Sequence, residues 1–237
     1  MTMRKLWFVL AMISITIFSY SHTAYATEFD IEAYSVSEED RDEFLQELNL
    51  KVISDDSRKR AINCLAVDEN GNYALAFSNL SECWIYIYDS NNVFQYGYSF
   101  TSKGDYGIAF CNSGLAIHFT RPNLFTIFDP TGNCLDIQKI SNNTQSLREK
   151  DRIFYKTQIN SNGKLYTLER DINVGDSYAR LVVKDSSGEQ HTIYDVSSDL
   201  AIQQVLLIGA IPAFFSFVIW GITKKQKGQG DGSVVPE

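Results

Sequence analysis

The residues of this chain best suited to chemistry are four cysteines, Cys64, Cys83, Cys111 and Cys134, and two histidines, His118 and His191. No two cysteines stand in the close C-x-x-C spacing that holds zinc or runs thiol redox exchange, so no metal site is expected from sulfur. His118 sits in LAIHF with strand alternation, and His191 in EQHTIY beside a turn. Neither lies near a nucleophile elbow, so no triad is supported and no catalytic residue is assigned; both read as ordinary strand histidines. The Asp-rich segments lack the alternating D-x-[DN]-x-[DN]-G ligands of a calcium loop, and their first duty is turn geometry. No cofactor is called for.

Aromatic side chains are the second candidate. Trp84, Tyr86 and Tyr88 share one face of a strand by period two, as do Tyr96, Tyr98 and Phe100 of the next. Such a face binds sugars or a protein partner when it is open, and is core packing when another layer covers it. Core packing is the preferred reading.

These residues need a scaffold, and its pattern is β. Turn clusters DENGN (68–72), CNSG (111–114) and NSNGK (160–164) sit between apolar runs such as CLAV and YALAF. A second set follows: IYDSNNVF from Ile87, IFDPTGNC from Ile127 and VKDSSGEQ from Val183, each with an Asp able to bend back on its own backbone. The two sets make an internal repeat of strand, turn, strand, loop, strand, turn, strand, marked by Gly71, Gly114 and Gly163 and by Asp89, Asp129 and Asp185. Antiparallel four-stranded units of ~40 to 50 residues are the pattern of propeller blades. The expected fold is therefore mainly β, a propeller-like array of about three blades, with a β-sandwich of short strands as the alternative.

Before the repeat, Ser37 opens SEEDRDEFLQELN with an N-cap, an acidic first turn and Asp40 three residues on, as in a capping box. A short helix over 37–49 follows, docked through Phe44, Leu45 and Leu48, with a strand from Leu50 to Ile53.

The two ends of the chain set its location. Arg4 and Lys5, the apolar run Leu6–Phe18 and the small residues Ala24 and Ala26 read as a signal peptide (1–26), cleaved before Thr27. An uncleaved anchor is the other reading. Leu200 to Ile222 carries no ionisable side chain and matches the ~20 residues that a bilayer span requires. Lys224, Lys225 and Lys227 follow it, so the tail 223–237 is expected inside and residues 27–199 outside the cell membrane. Of the 21 Lys and Arg, five lie outside that 173-residue head (Arg4, Lys5, Lys224, Lys225, Lys227), leaving 16. Of the 29 Asp and Glu, two lie outside it (Asp231, Glu237), leaving 27 and a head charge of −11. An acidic head whose one basic run, Arg58-Lys59-Arg60, adjoins Asp55 and Asp56 is not a nucleic-acid binder. Export permits disulfides, so at least one bond is expected among the four cysteines, Cys64 and Cys111 lying beside equivalent first turns; buried thiols are the competing reading.

The stretches LNLKVISDDSRKRAINC, NGNYALAFSN and IYDSNNVFQYGYSF resemble a family of uncharacterised single-pass membrane proteins of clostridial and related Gram-positive bacteria. The likeness covers most of the head and the span. This chain departs from the pattern at Asn92, where the family usually shows Gly, and near Ser102, where it shows a Cys-Ser-Gly stretch. The resemblance implies architecture and an envelope location, and carries over no catalytic residue.

Together these readings predict a membrane-anchored extracytoplasmic interaction or accessory module, meeting a protein or wall polymer. The alternative is an extracytoplasmic hydrolase using carboxylates in a cleft. Three blades are too few to close a ring, which raises a homodimer as one way to cover the flanks. Gly209, Ala213 and Ser216, on one helical face of the span, would let two such helices pack closely.

Overall fold

A computed structural model describes residues 29–56, 59–171 and 177–199. The signal peptide, the 200–222 segment with Gly209, Ala213 and Ser216, and the tail lie outside the described residues. Among those described, no helix is long and apolar enough to cross a membrane.

Strand β1 (Ala33–Ser35) leads to helix α1 (Glu38–Leu48) and then to β2 (Lys51–Ile53). The helix is bounded as its sequence predicts. Ser37 Oγ accepts from the Asp40 N–H at 3.2 Å and donates to the Asp40 carboxylate at 2.6 Å, while Asn49 closes the other end with φ of 47°. A left-handed residue at that position satisfies the last carbonyls, and Asn tolerates it.

Three antiparallel meanders follow. The first joins β3 (Cys64–Val67), β4 (Tyr73–Asn79), β5 (Glu82–Tyr88) and β6 (Phe94–Thr101). The second joins β7 (Tyr106–Cys111), β8 (Gly114–Phe119), β9 (Leu124–Phe128) and β10 (Cys134–Ile140). Helix α2 (Thr144–Phe154) then leads to the third, β11 (Gln158–Ser161), β12 (Lys164–Glu169), β13 (Arg180–Lys184) and β14 (Gln190–Asp195). The N-terminal strands extend two of these sheets: β2 pairs outside β6 and β1 outside β10. Three four-stranded units are what the turn repeat predicts; β1 and α2 are elements beyond it.

Packing, rather than chain order, sets how the sheets stack. One face of the first sheet, with Ile85, Ile87, Tyr98 and Phe100, meets Tyr106, Ile108, Leu115 and Phe128 of the second. Its other face, with Leu75, Phe77, Trp84 and Tyr86, meets Tyr166, Leu168, Leu181 and Val183 of the third. The first sheet thus lies between the other two. Covered on both faces, its strands are near-continuous apolar runs, CLAV and YALAF, rather than alternating ones. The outer face of the second sheet is closed by Phe154 of α2 together with Phe29 and Ile31. On the third, the Glu169–Arg180 ion pair (3.3 Å) and half-buried Leu165 and Thr167 remain towards solvent.

Candidate functional site

Strand direction divides the head into two ends of different chemistry. The turns between first and second strands and between third and fourth strands share one end, here the hairpin end. The turns between second and third strands, and the links from sheet to sheet, share the other, the connector end.

At the hairpin end, four turns have one construction. Asp68, Asp89, Asp129 and Asp185 each accept, through Oδ1, the backbone N–H groups two and four residues on, at 2.8–3.0 Å. Each backbone carbonyl accepts from the residue three on, which has positive φ: Gly71, Asn92, Gly132 and Gly188. An Asp side chain that mimics a turn's backbone, followed by a residue free to go left-handed, is what makes the geometry cheap. The sorting by sequence differs at one point: Asp68 belongs by structure with the second set of turns, while the matching turns at Asn112–Ser113 and Asn162–Gly163 are two-residue loops. The hydroxyl of Thr131 and the Asn133 N–H hold the Asp129 carboxyl down at about 2, and the Ser187 hydroxyl lowers Asp185 in the same way. These two carboxylates therefore stay anionic into acid, and exposed Glu69 and Glu189 lie at the same end. Asp185, Glu189 and His191 offer ligand atoms within 4.8 Å of one another, but Asp185 Oδ1 already serves the turn and takes the Ser187 hydroxyl at 2.6 Å.

The aromatic stripes are core, as the preferred reading has it, and do not form the open binding face of the other reading. Trp84, Tyr86 and Tyr88 point to the third sheet, Tyr98 and Phe100 to the second, and Tyr96 is half-buried beside Tyr98. The two period-two stripes fall on opposite faces of one sheet, and both are core. The polar tips are used: Tyr98 donates to the Asp129 carbonyl at 2.7 Å, and Tyr88 to Asp56 at 3.0 Å.

The cysteines carry thiols, not the expected disulfide. Each sulfur donates to a main-chain carbonyl: Cys64 to Tyr106, Cys83 to Ser81, Cys111 to Gly114 and Cys134 to Asp136. Burial pushes both Cys64 and Cys83 up to about 12, so neither is a ready thiolate.

His118 lies in strand β8, as its alternation predicts, and is fully buried. Its Nε2 faces Asn123 Oδ1 at 3.3 Å and its Nδ1 the Tyr155 hydroxyl at 2.8 Å. Asn123 spends its amide N–H groups on the Ile140 carbonyl and Asn142, which fixes its oxygen toward the ring. The imidazole is thus neutral with its proton on Nε2, and Tyr155 donates to Nδ1. Desolvation lowers its pKa to about 4. Asn123 and Tyr155 were not legible as partners, since the first lies in a turn and the second follows the unforeseen α2. His191, by contrast, is exposed, 3.5 Å from Glu189.

The connector end carries two adjoining hollows. One, of about 330 Å³, has Phe44, Leu48, Phe119 and Pro122 in its wall. The other, of about 560 Å³, is lined by Ser78, Leu80, Asp105 and Tyr155 among others. Lys103, Gly104 and Arg121 border both. A side chain at Gly104 would strike the Arg121 stem, so the 102–105 link lies close beneath that arginine. Lys103 pairs with Glu47 of α1 at 3.0 Å.

Compared with known proteins, the sequence matches no family model and no curated relative.

Proposed function

We propose that this chain is a single-pass envelope protein whose exported head is a non-enzymatic interaction module, an open propeller-like stack that offers its acidic hairpin end to a cationic protein or wall-polymer partner. The observation that carries the reading is directional. Strand β14 runs from the hairpin end to the connector end, and the apolar 200–222 segment begins four residues after buried Val196. A bilayer holding that segment leaves the Asp turns pointing away from the membrane. The propeller-like description draws support from the first strands, β7 and β11, which both lie against β3 as inner strands of blades do. The three layers also fit it better than a two-layer sandwich.

The hydrolase alternative needs a carboxyl raised to serve as an acid. Where carboxyls are shifted, at Asp129, Asp185 and Asp195, hydrogen bonds move them down, and this favours the interaction reading. A completed ring of two copies loses part of its motive, because one flank is covered by α2 and the N-terminal segment and the other carries the Glu169–Arg180 ion pair. The partner we favour is a different molecule.

A photo-crosslinking residue at Asn91 or Ser187, in cells, tests this. A defined adduct is expected from both sites, and weakened when Glu69→Lys and Glu189→Lys make that end four charges less negative. Adducts insensitive to that change of charge, or none from either site, overturn the proposal.

A further inference from the structure

The sharpest local conflict in the head is Leu80. It sits in the two-residue loop Leu80–Ser81 between β4 and β5, with φ of 58° and 98% of its surface exposed. A left-handed backbone costs free energy for a branched apolar residue, and Gly or Asn relieves that cost. The other non-glycine residues with positive φ among those described, Asn49, Asn92, Asn123 and Asn162, are all Asn. Leu80 alone bears the strain, and its side chain gains no packing in return. The large apolar residues exposed at the hairpin end, Val93 and Leu135, are by comparison half covered.

Its position gives the strain a use. Leu80 is at the connector end, in the hollow bordered by Lys103 and Arg121, which adjoins the one walled by Phe44, Phe119 and Pro122. The chain leaves this same end: β14 ends at Asp195, Val196 is buried, and Leu200 follows. Four residues span at most ~14 Å even when fully extended, at ~3.5 Å each. A head tethered so briefly brings its connector end to the surface of whatever holds residues 200–222.

Resting on the reading of 200–222 as the span, we infer that the connector end lies against the outer surface of the bilayer, with Leu80 in the headgroup–acyl boundary and Arg121 and Lys103 at the level of the lipid phosphates. Leu80 shares its hollow with Lys103, Arg121 and Asp105, two cations to one anion, and an apolar side chain with a net basic border is the composition of an interfacial contact. The long stems of Lys and Arg lie along the apolar wall while their charged heads reach the phosphates.

The test uses the full chain in nanodiscs of phosphatidylglycerol and phosphatidylcholine, in a Cys111→Ser, Cys134→Ser background. An environment-sensitive fluorophore is placed on Leu80→Cys or, at the hairpin end, on Asn91→Cys, and doxyl-labelled lipid is the quencher. Trp220 of the 200–222 segment serves as the anchor's own reporter in a Trp7→Phe, Trp84→Phe variant. The proposal expects strong quenching at position 80, none at position 91, and quenching of Trp220. Equal lack of quenching at 80 and 91 with Trp220 quenched overturns the docked end while leaving the anchor standing. Failure of Trp220 to quench, with the chain absent from the discs, overturns the anchor and the proposal with it. The Leu80→Asn variant separates docking from folding: unlabelled, it should hold or raise the thermal midpoint of the head, and carrying the fluorophore on Ser81→Cys it should lose most of the quenching that Ser81→Cys shows with Leu80 in place. Unchanged quenching in that variant contradicts a role for Leu80.

Discussion

The Nδ1 of His118 lies 2.8 Å from the hydroxyl of Tyr155, and the two close a hydrogen-bonded chain from α2's end through the imidazole to Asn123 and the Ile140 carbonyl. A second proton would turn the Tyr155 O–H off the ring, so that its oxygen accepts from Nδ1–H, and would place a charge in a fully buried site; burial of that charge is what disfavours it.

That arrangement predicts the pH dependence of stability. The imidazole titrates near 4 in the native head and near 6.5 when unfolded. Above 6.5 both states are neutral and the group contributes no pH dependence. Between 6.5 and 4 the unfolded chain binds the proton and the native one does not, so stability falls as pH falls, by up to about 3 kcal/mol. Denaturant melts from pH 7 to pH 4 should show this loss. His118→Gln should be less stable at pH 7 by about 1–3 kcal/mol, through broken buried hydrogen bonds, and should show a flatter profile over that window. An unchanged slope in the variant contradicts the assignment.

The shared Asp turn predicts a ranking. Asp68→Ala removes the acceptor for the Asn70 and Asn72 N–H groups and should cost about 1–2 kcal/mol, whereas Asp68→Asn keeps an acceptor and should cost less. Asp129 adds an acid limb. Its carboxyl is held at about 2, below its unfolded value, so its contribution is complete above pH ~4 and is lost as pH falls toward 2. Asp129→Asn should blunt that limb alone.

The thiols predict an alkylation pattern. Unfolded without reductant, the chain should take up four alkyl groups; fewer would mean a disulfide. In the native head, half-buried Cys111 should react before Cys64 and Cys83, whose thiolates burial suppresses.

How much of this is legible in the sequence depends on whether the signal is local. Helix α1 is written in Ser37, Asp40 and Asn49, and the meanders in Asp89, Asp129 and Asp185, because capping and Asx turns involve residues two to four apart. Helix α2 escaped because its cap, Asn143 to the Ser146 N–H at 2.7 Å, sits in a polar segment whose only fully buried apolar residue is Phe154. The aromatic stripes carry the right period, but which layer covers each face is decided by Tyr106 and Tyr166 from other sheets. Four cysteines in an exported head raise the expectation of a bond, and only three-dimensional placement shows each sulfur held on a carbonyl of its own.

The central claim is that an exported head is held on the outer face of a membrane by residues 200–222, with the tail inside. Protease added to intact protoplasts, with an epitope after Glu237, tests it most directly. The account predicts loss of the head and survival of a short, membrane-bound fragment that retains the epitope. Survival of the full-length chain under protease that digests the same chain after lysis, or loss of the epitope while the head persists, would contradict it.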